Sequence, residues 1–129
     1  MAGQPPLRIL IIDDEPGFAS GLARLLSRDG ATVETASDGQ VALAQLHAQR
    51  YDVLLCDLLM PALNGPDLYA ILKRHDASLC QRIVFLTGDT LGEDSRAFLE
   101  KCGQPWLYKP CTAAEIRNVI QEVLRAEER

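Results

Sequence analysis

The chain has 129 residues, of which 47% are hydrophobic, and it carries a formal net charge of −5. This length suits one domain with a sizeable core. Its basic residues are scattered along an acidic chain, so we expect no direct contact with nucleic acid or with an anionic membrane surface. No run reaches the roughly 18 apolar residues of a membrane span, and the amino terminus lacks a signal peptide's features. We therefore expect a cytoplasmic protein without membrane insertion.

The four cysteines are widely spaced and form no C-x-x-C pair: Cys56, Cys80, Cys102 and Cys111. We interpret them as reduced thiols in a reducing compartment, acting mainly as small hydrophobic side chains.

The beginning of the chain predicts a flexible lead followed by a strand and a helix. Residues 1–6 contain a glycine and two prolines, which favour a lead or a linker remnant. The apolar run at residues 9–12 is rich in β-branched side chains and predicts the first strand. Pro16 suits the first turn of a helix, and Gly30 ends it.

The middle of the chain contains two further strands, each followed by a helix. Residues 32–36 alternate weakly and predict the second strand, and Asp38 with Gly39 leads into a helix through about Gln49. The short apolar run at residues 53–56 is typical of a strand covered on both faces, and it ends in Asp57. A loop punctuated by proline and glycine follows, and the third helix ends near His75.

The last third of the chain repeats the alternation twice more. Residues 83–86 predict the fourth strand, and residues 106–108 predict the fifth. Between them, a less regular helix is marked by Leu91, Phe98 and Leu99. Thr112 and Glu115 have the capping-box spacing that begins a final amphipathic helix. We place the folded domain at residues 7–125 and expect residues 126–129 to fray.

Five strands alternating with five helices predict an α/β fold, a doubly wound five-stranded parallel sheet with helices on both faces. Ligands of such sheets bind beyond the carboxyl ends of the strands. Polar side chains stand at those ends: Asp13 and Asp14 after strand one, Asp57 after strand three, Thr87 after strand four and Lys109 after strand five. If strands one and three are neighbours, the three aspartates meet at one point.

Three carboxylates repel one another, and one lysine cannot balance them. A divalent cation would, and a donor set of oxygens alone favours Mg²⁺, or Mn²⁺, over zinc. A metal beside a carboxylate, with an ammonium and a hydroxyl nearby, makes a plausible phosphoryl-transfer site in which one aspartate attacks phosphorus.

These residues resemble the receiver domain of two-component response regulators. The resemblance covers about residues 7–124 and rests on five ordered elements: Asp13-Asp14, Asp57 followed by Met60-Pro61, Gly65, Thr87-Gly88 and Lys109-Pro110. It implies the flavodoxin-like receiver fold with strand order 2-1-3-4-5. Residues 86–89 and the approach to the fifth strand are more similar to receivers of hybrid histidine kinases.

The resemblance also implies a role for each site residue. Asp57 would be the phosphoacceptor, with a phosphohistidine of a histidine kinase or phosphotransfer domain as donor. Asp13, Asp14, Asp57 and the backbone carbonyl of Leu59 would hold the metal. Thr87 and Lys109 would contact the phosphoryl group, and the Lys109–Pro110 bond would be cis.

The resemblance further implies a switch. Thr87 would move toward the phosphoryl group, and Trp106, in the position of the family's switch aromatic, would turn inward. The surface of the fourth helix, fifth strand and fifth helix would then change, and it is where relatives bind partners and form homodimers.

Two other functions remain open at this point. One is a Mg²⁺-dependent phosphatase or phosphotransferase with an aspartyl nucleophile, which is disfavoured because Leu59 stands where a second acid is usual. The other is a receiver-like module that is never phosphorylated, against which the intact acidic set argues. A flavin site is disfavoured, because Asp13, Asp14 and Glu15 would repel a phosphate without a metal. We expect self-catalysed phosphorylation and slow autodephosphorylation rather than turnover of a small substrate.

Overall fold

The structure, a computed structural model, describes residues 5–88 and 92–127. In chain order its elements are β1 (Arg8–Ile12), α1 (Pro16–Arg28), β2 (Thr32–Ala36), α2 (Gly39–Ala48), β3 (Val53–Asp57), α3 (Gly65–His75), α4 (Ala77–Cys80), β4 (Ile83–Thr87), α5 (Glu93–Cys102), β5 (Trp106–Tyr108) and α6 (Ala113–Glu127).

The five strands form one parallel sheet in the order β2-β1-β3-β4-β5. This confirms the predicted fold class and strand order. In the register, Ile12 lies beside Cys56, and Asp57 lies beside Leu86. The carboxyl ends of β1, β3 and β4 therefore meet at one edge of the sheet, with β1 and β3 as neighbours where the strand order reverses.

Two hydrophobic clusters lie on opposite faces of the sheet, because successive side chains of a strand point to opposite sides. Ile9 and Ile11 of β1 pack with α1 and α6 on one face. Leu10 and Ile12 pack with α2, α3, α4 and α5 on the other. The inner strands β3 and β4 are buried along their whole length, as expected for a sheet covered on both faces.

Side chains cap three of the helices. Asp38 accepts a hydrogen bond from the amide of Val41 at the start of α2, and Asn64 does the same for α3. The predicted capping box of the last helix is present, because Thr112 and Glu115 each accept a hydrogen bond from the other's amide.

The structure differs from the sequence prediction in its helices. The described residues contain six helices rather than five, because the four-residue α4 follows α3 after Asp76, whose backbone is not helical (φ −154°, ψ 78°). A single turn is too short to give a helical period in the sequence. What we predicted as the fourth and fifth helices are therefore α5 and α6.

Some predictions fall at or beyond the edges of the described chain. Leu91 lies outside the described residues, and α5 begins at Glu93. Helix α6 continues to Glu127, into the tail that we expected to fray, and residues 128 and 129 lie outside the description. Residues 1–4 of the expected lead also lie outside it.

Two further expectations can be compared with the structure. The four cysteines are free thiols, and burial raises the pKa of each. Within the described part of the chain, no helix is long and apolar enough to cross a membrane.

Gly39 allows α2 to lie close to the loop after β3. A Cβ added at Gly39 would stand 2.6 Å from the carbonyl oxygen of Leu63, a backbone atom that cannot move aside cheaply. We expect Gly39→Ala to lower the free energy of unfolding by about 1–2 kcal/mol, measured by urea denaturation.

The matched control is Gly21→Ala, in the exposed middle of α1, where an added Cβ meets nothing within 4 Å. There the better helix propensity of alanine is expected to stabilise the protein by about 0.5–1 kcal/mol. Equal effects of the two substitutions would contradict the packing assigned to Gly39.

Candidate functional site

The five predicted site residues come together at the carboxyl edge of the sheet. Asp13 and Asp14 directly follow β1, Asp57 and Thr87 are the last residues of β3 and β4, and Lys109 directly follows β5. The amide of Lys109 donates to the carbonyl of Thr87 across 2.6 Å, which fixes the lysine beside β4. Asp13, Asp57 and Thr87 are the buried polar or charged residues of the described chain.

Asp13, Asp14 and Asp57 form a cluster of carboxylates. Each offers one oxygen, and these oxygens all lie within 4.8 Å of one another. It is the one group of three or more potential ligand residues among residues 5–88 and 92–127. Asp13 Oδ1 accepts a hydrogen bond from the amide of Glu15, whereas Oδ2 is buried and lies 2.7 Å from the ammonium of Lys109.

This donor set fits a hard divalent cation. The cluster supplies only carboxylate oxygens, and a divalent cation would relieve the repulsion among three carboxylates that lie within 4.8 Å of one another. Histidine and thiolate ligands, which zinc prefers, are absent from the cluster. Asp13, Asp14 and Asp57 are therefore suited to hold Mg²⁺ or Mn²⁺.

Lys109 is the positively charged side chain of the site, and its ammonium lies at unequal distances from three carboxylates. Its Nζ lies 2.7 Å from Asp13 Oδ2, 2.9 Å from Glu15 Oε1 and 3.4 Å from Asp57 Oδ2. Nζ also lies 4.5 Å from the centre of the Phe18 ring. Although burial opposes the charged form, the carboxylates dominate and raise the pKa of Lys109, so it stays an ammonium.

The charged form of Asp57, unlike that of Lys109, is disfavoured by its surroundings. Burial raises the pKa of its carboxyl from 3.8 to about 6, and neighbouring Asp13 adds to the rise. Lys109 and the amide of Leu59, 3.4 Å from Oδ1, act in the opposite direction without cancelling it. In the absence of a metal, Asp57 is therefore a destabilised carboxylate at neutral pH.

The loop after β3 carries two residues singled out in the sequence. Gly65 is closely packed, because a Cβ there would stand 3.0 Å from the carbonyl oxygen of Leu58 and 3.1 Å from that of Asp57, so a larger residue would displace this backbone by a few tenths of an ångström. Leu59 is 60% exposed, and its amide faces Asp57. That its carbonyl is a metal ligand stays a prediction.

The predicted switch residues lie on the two last strands of the sheet. Thr87 is 2% exposed and pairs in register with Tyr108, whereas Trp106 pairs with Phe85. Trp106 is half-buried against the cluster formed with α5, and its ring meets that of Tyr108 edge to face at 4.9 Å between centroids. The bond between Lys109 and Pro110 is cis.

Sequence reasoning missed two contacts of Lys109, those with Glu15 and Phe18. Glu15 directly precedes α1, and Phe18 lies in the first turn of that helix. The sequence signal for Glu15 was its place directly after Asp13-Asp14, at the same edge of the sheet.

Comparison with known proteins identifies the family. Residues 9–121 match the family model of the response regulator receiver domain. The chain belongs to this family. Similar proteins include the probable transcriptional regulatory protein TcrX of Mycobacterium tuberculosis, 31% identical over 93% of this chain and 50% of TcrX. The DNA-binding response regulator MtrA of Mycolicibacterium smegmatis is 33% identical over 94% of this receiver and 52% of MtrA.

This receiver thus spans about half the length of these curated relatives. Among solved structures, it is similar to the signal receiver domain of a signal transduction histidine kinase from Syntrophus aciditrophicus. That match has a TM-score of 0.83 at 26% identity and covers 95% of this chain and 93% of the other. The fold predicted from the sequence is thus that of proteins in the same family.

Proposed function

We propose that this receiver accepts a phosphoryl group on Asp57 from a phosphohistidine of a histidine kinase or phosphotransfer domain. The observation that carries the proposal is the convergence on Asp57 of two further aspartates and Lys109 at one edge of the sheet. A carboxylate oxygen of Asp57 would attack phosphorus, and the bond from phosphorus to the donor's imidazole nitrogen would break. The imidazole leaves with the bonding electrons and takes a proton from solvent.

The charges around Asp57 support this chemistry. Asp13, Asp14 and Asp57 would hold Mg²⁺ or Mn²⁺, which when bound supplies positive charge for the phosphoryl oxygens. Lys109, already an ammonium, would contribute a second positive charge, and the hydroxyl of Thr87 a hydrogen bond. The same groups would later admit a water that hydrolyses the acyl phosphate slowly. Catalysis would thus be confined to this receiver's own modification, without a turnover reaction on a small substrate.

The response would be read on the surface formed by α5, β5 and α6. Thr87 and Trp106 connect this surface to the site, since β4 and β5 are paired and the indole lies against the cluster formed with α5. Movement of Thr87 toward the phosphoryl group and rotation of Trp106 would change the surface's shape, for a partner protein or a second copy of this receiver. We place this activity in the cytoplasm, where histidine kinases present their phosphohistidines.

The proposal is tested by intact-protein mass after incubation with Mg²⁺ and phosphoramidate, comparing wild type, Asp57→Ala and wild type with chelator. The expected result is one added phosphoryl group in the wild type with Mg²⁺ and none in the other two. No adduct under any condition would contradict the proposal and favour an unphosphorylated interaction module. An unmodified protein that consumes the donor would favour a phosphatase or phosphotransferase instead.

A further inference from the structure

The ammonium of Lys109 lies nearer to two neighbouring carboxylates than to that of Asp57, the proposed phosphoacceptor. Its Nζ is closest to Asp13 and Glu15, at 2.7 Å and 2.9 Å, and farthest from Asp57, at 3.4 Å. The Phe18 ring lies 4.5 Å from the same ammonium. Because attraction between charges falls with distance, the side chain is drawn toward β1 and α1 rather than toward the phosphoacceptor.

The contact of Glu15 with Lys109 is not explained by helix capping. It is the residue before α1, yet its side chain makes no capping hydrogen bond. Its carboxylate is 65% exposed and reaches across 94 residues of sequence to meet Lys109. By contrast, Asp13 is needed for the metal cluster and is 1% exposed.

We infer that Glu15 is a positioning residue that holds Lys109 away from Asp57 and so limits the rate at which this receiver is phosphorylated. The inference rests on the proposed function. A cation bound by Asp13 would share that carboxylate's charge and weaken its hold on the ammonium. Glu15, which is outside the carboxylate cluster, would keep its hold, so Lys109 must leave Glu15 to reach the phosphoryl oxygens.

The size of the effect follows from the exposure of Glu15. Ion pairs with one exposed partner are weak, and breaking one changes an equilibrium by about two- to fivefold. We expect Glu15→Gln to accelerate phosphorylation by phosphoramidate in saturating Mg²⁺ by that factor, measured as the phosphorylated fraction by intact mass over time. Glutamine keeps the length of the side chain and removes its charge.

The matched control is Asp67→Asn. Asp67 is an exposed carboxylate in the first turn of α3, whose capping group is Asn64. Its replacement removes one negative charge at a helix start from a residue that forms no ion pair with Lys109, and phosphorylation should proceed at the wild-type rate. Thermal unfolding of each variant identifies any loss of fold.

A double-mutant cycle separates action through Lys109 from general repulsion of the anionic donor. In a Lys109→Gln background, Glu15→Gln should have no further effect on the phosphorylation rate. An independent readout needs neither metal nor donor: the side-chain ¹⁵N signal of Lys109 should shift in Glu15→Gln and not in Asp67→Asn.

An unchanged phosphorylation rate in Glu15→Gln would overturn the inference, and so would the same acceleration in the Lys109→Gln background. An unchanged Lys109 signal would also overturn it. These results leave the proposed function standing if the wild type is phosphorylated on Asp57. A wild type that takes up no phosphoryl group would overturn the proposed function and this inference with it.

Discussion

Replacing Lys109 with alanine is expected to lower the free energy of unfolding of the metal-free receiver by roughly 3 kcal/mol at neutral pH. Lys109 is the shared cation of Asp13, Glu15 and Asp57, and two of these carboxylates are buried. Removing one partner of a buried ion pair leaves the other charge without compensation, which costs about 3–5 kcal/mol in closed sites. We take the lower end because Glu15 is exposed and the site opens to solvent.

Two comparisons make the Lys109 prediction specific, both by urea denaturation with chelator present. Lys101→Ala, which removes an exposed lysine from α5, should change the free energy of unfolding by less than about 0.5 kcal/mol. Adding Asp13→Asn to Lys109→Ala should recover much of the loss, because it removes the unpaired buried charge as well. A loss below about 1 kcal/mol in Lys109→Ala would contradict the electrostatic account of the site.

The second large effect is a stabilisation: Asp57→Asn should make the metal-free protein more stable at pH 7.5, by about 1–2 kcal/mol. The pKa of Asp57 is raised from 3.8 to about 6 by burial and by Asp13. Between these values the folded state binds more protons than the unfolded state, so stability falls as pH rises through this window. A pKa shift of this size means that ionised Asp57 lowers the free energy of unfolding by at most about 3 kcal/mol, and contact with solvent reduces this cost.

Asparagine removes this cost, so the advantage of Asp57→Asn should be complete above about pH 6 and vanish toward pH 4. Magnesium should make the wild type more stable than Asp57→Asn. Metal at about a hundred times its dissociation constant stabilises the wild type by about 2.7 kcal/mol, whereas the variant has lost a ligand. The measurement is thermal and urea unfolding at several pH values, with chelator or with Mg²⁺. An Asp57→Asn protein no more stable than wild type in chelator at pH 7.5 would contradict the raised pKa.

Much of the fold and site could be predicted because parallel strands place their carboxyl ends at one edge. The acidic ends of the first and third strands, and the positions of Thr87 and Lys109, are visible in the sequence as polar residues after apolar runs. The order of the strands could not be predicted in this way, because alternation alone does not say which strands are neighbours. The predicted order came from the resemblance to receivers. The structure confirms that order.

The remaining features depend on contacts that sequence spacing does not encode. Helix α4 is a single turn that follows the non-helical Asp76, so it has no helical period to detect in the sequence. The unequal sharing of Lys109 between Glu15 and Asp57 depends on where a long side chain rests among several carboxylates. Likewise, the need for glycine at position 39 arises from Leu63, a neighbour in a different element.

The central claim is that Asp57 carries the phosphoryl group, and its most direct test is to locate the acyl phosphate in the chain. Hydride reduction converts a phosphorylated aspartate to homoserine, which peptide mass mapping places at a single position. After phosphorylation in Mg²⁺ and reduction, we predict homoserine at position 57 in the wild type and at no position in unphosphorylated protein. Homoserine at any other aspartate, or an added phosphoryl group that leaves Asp57 unreduced, would contradict the account.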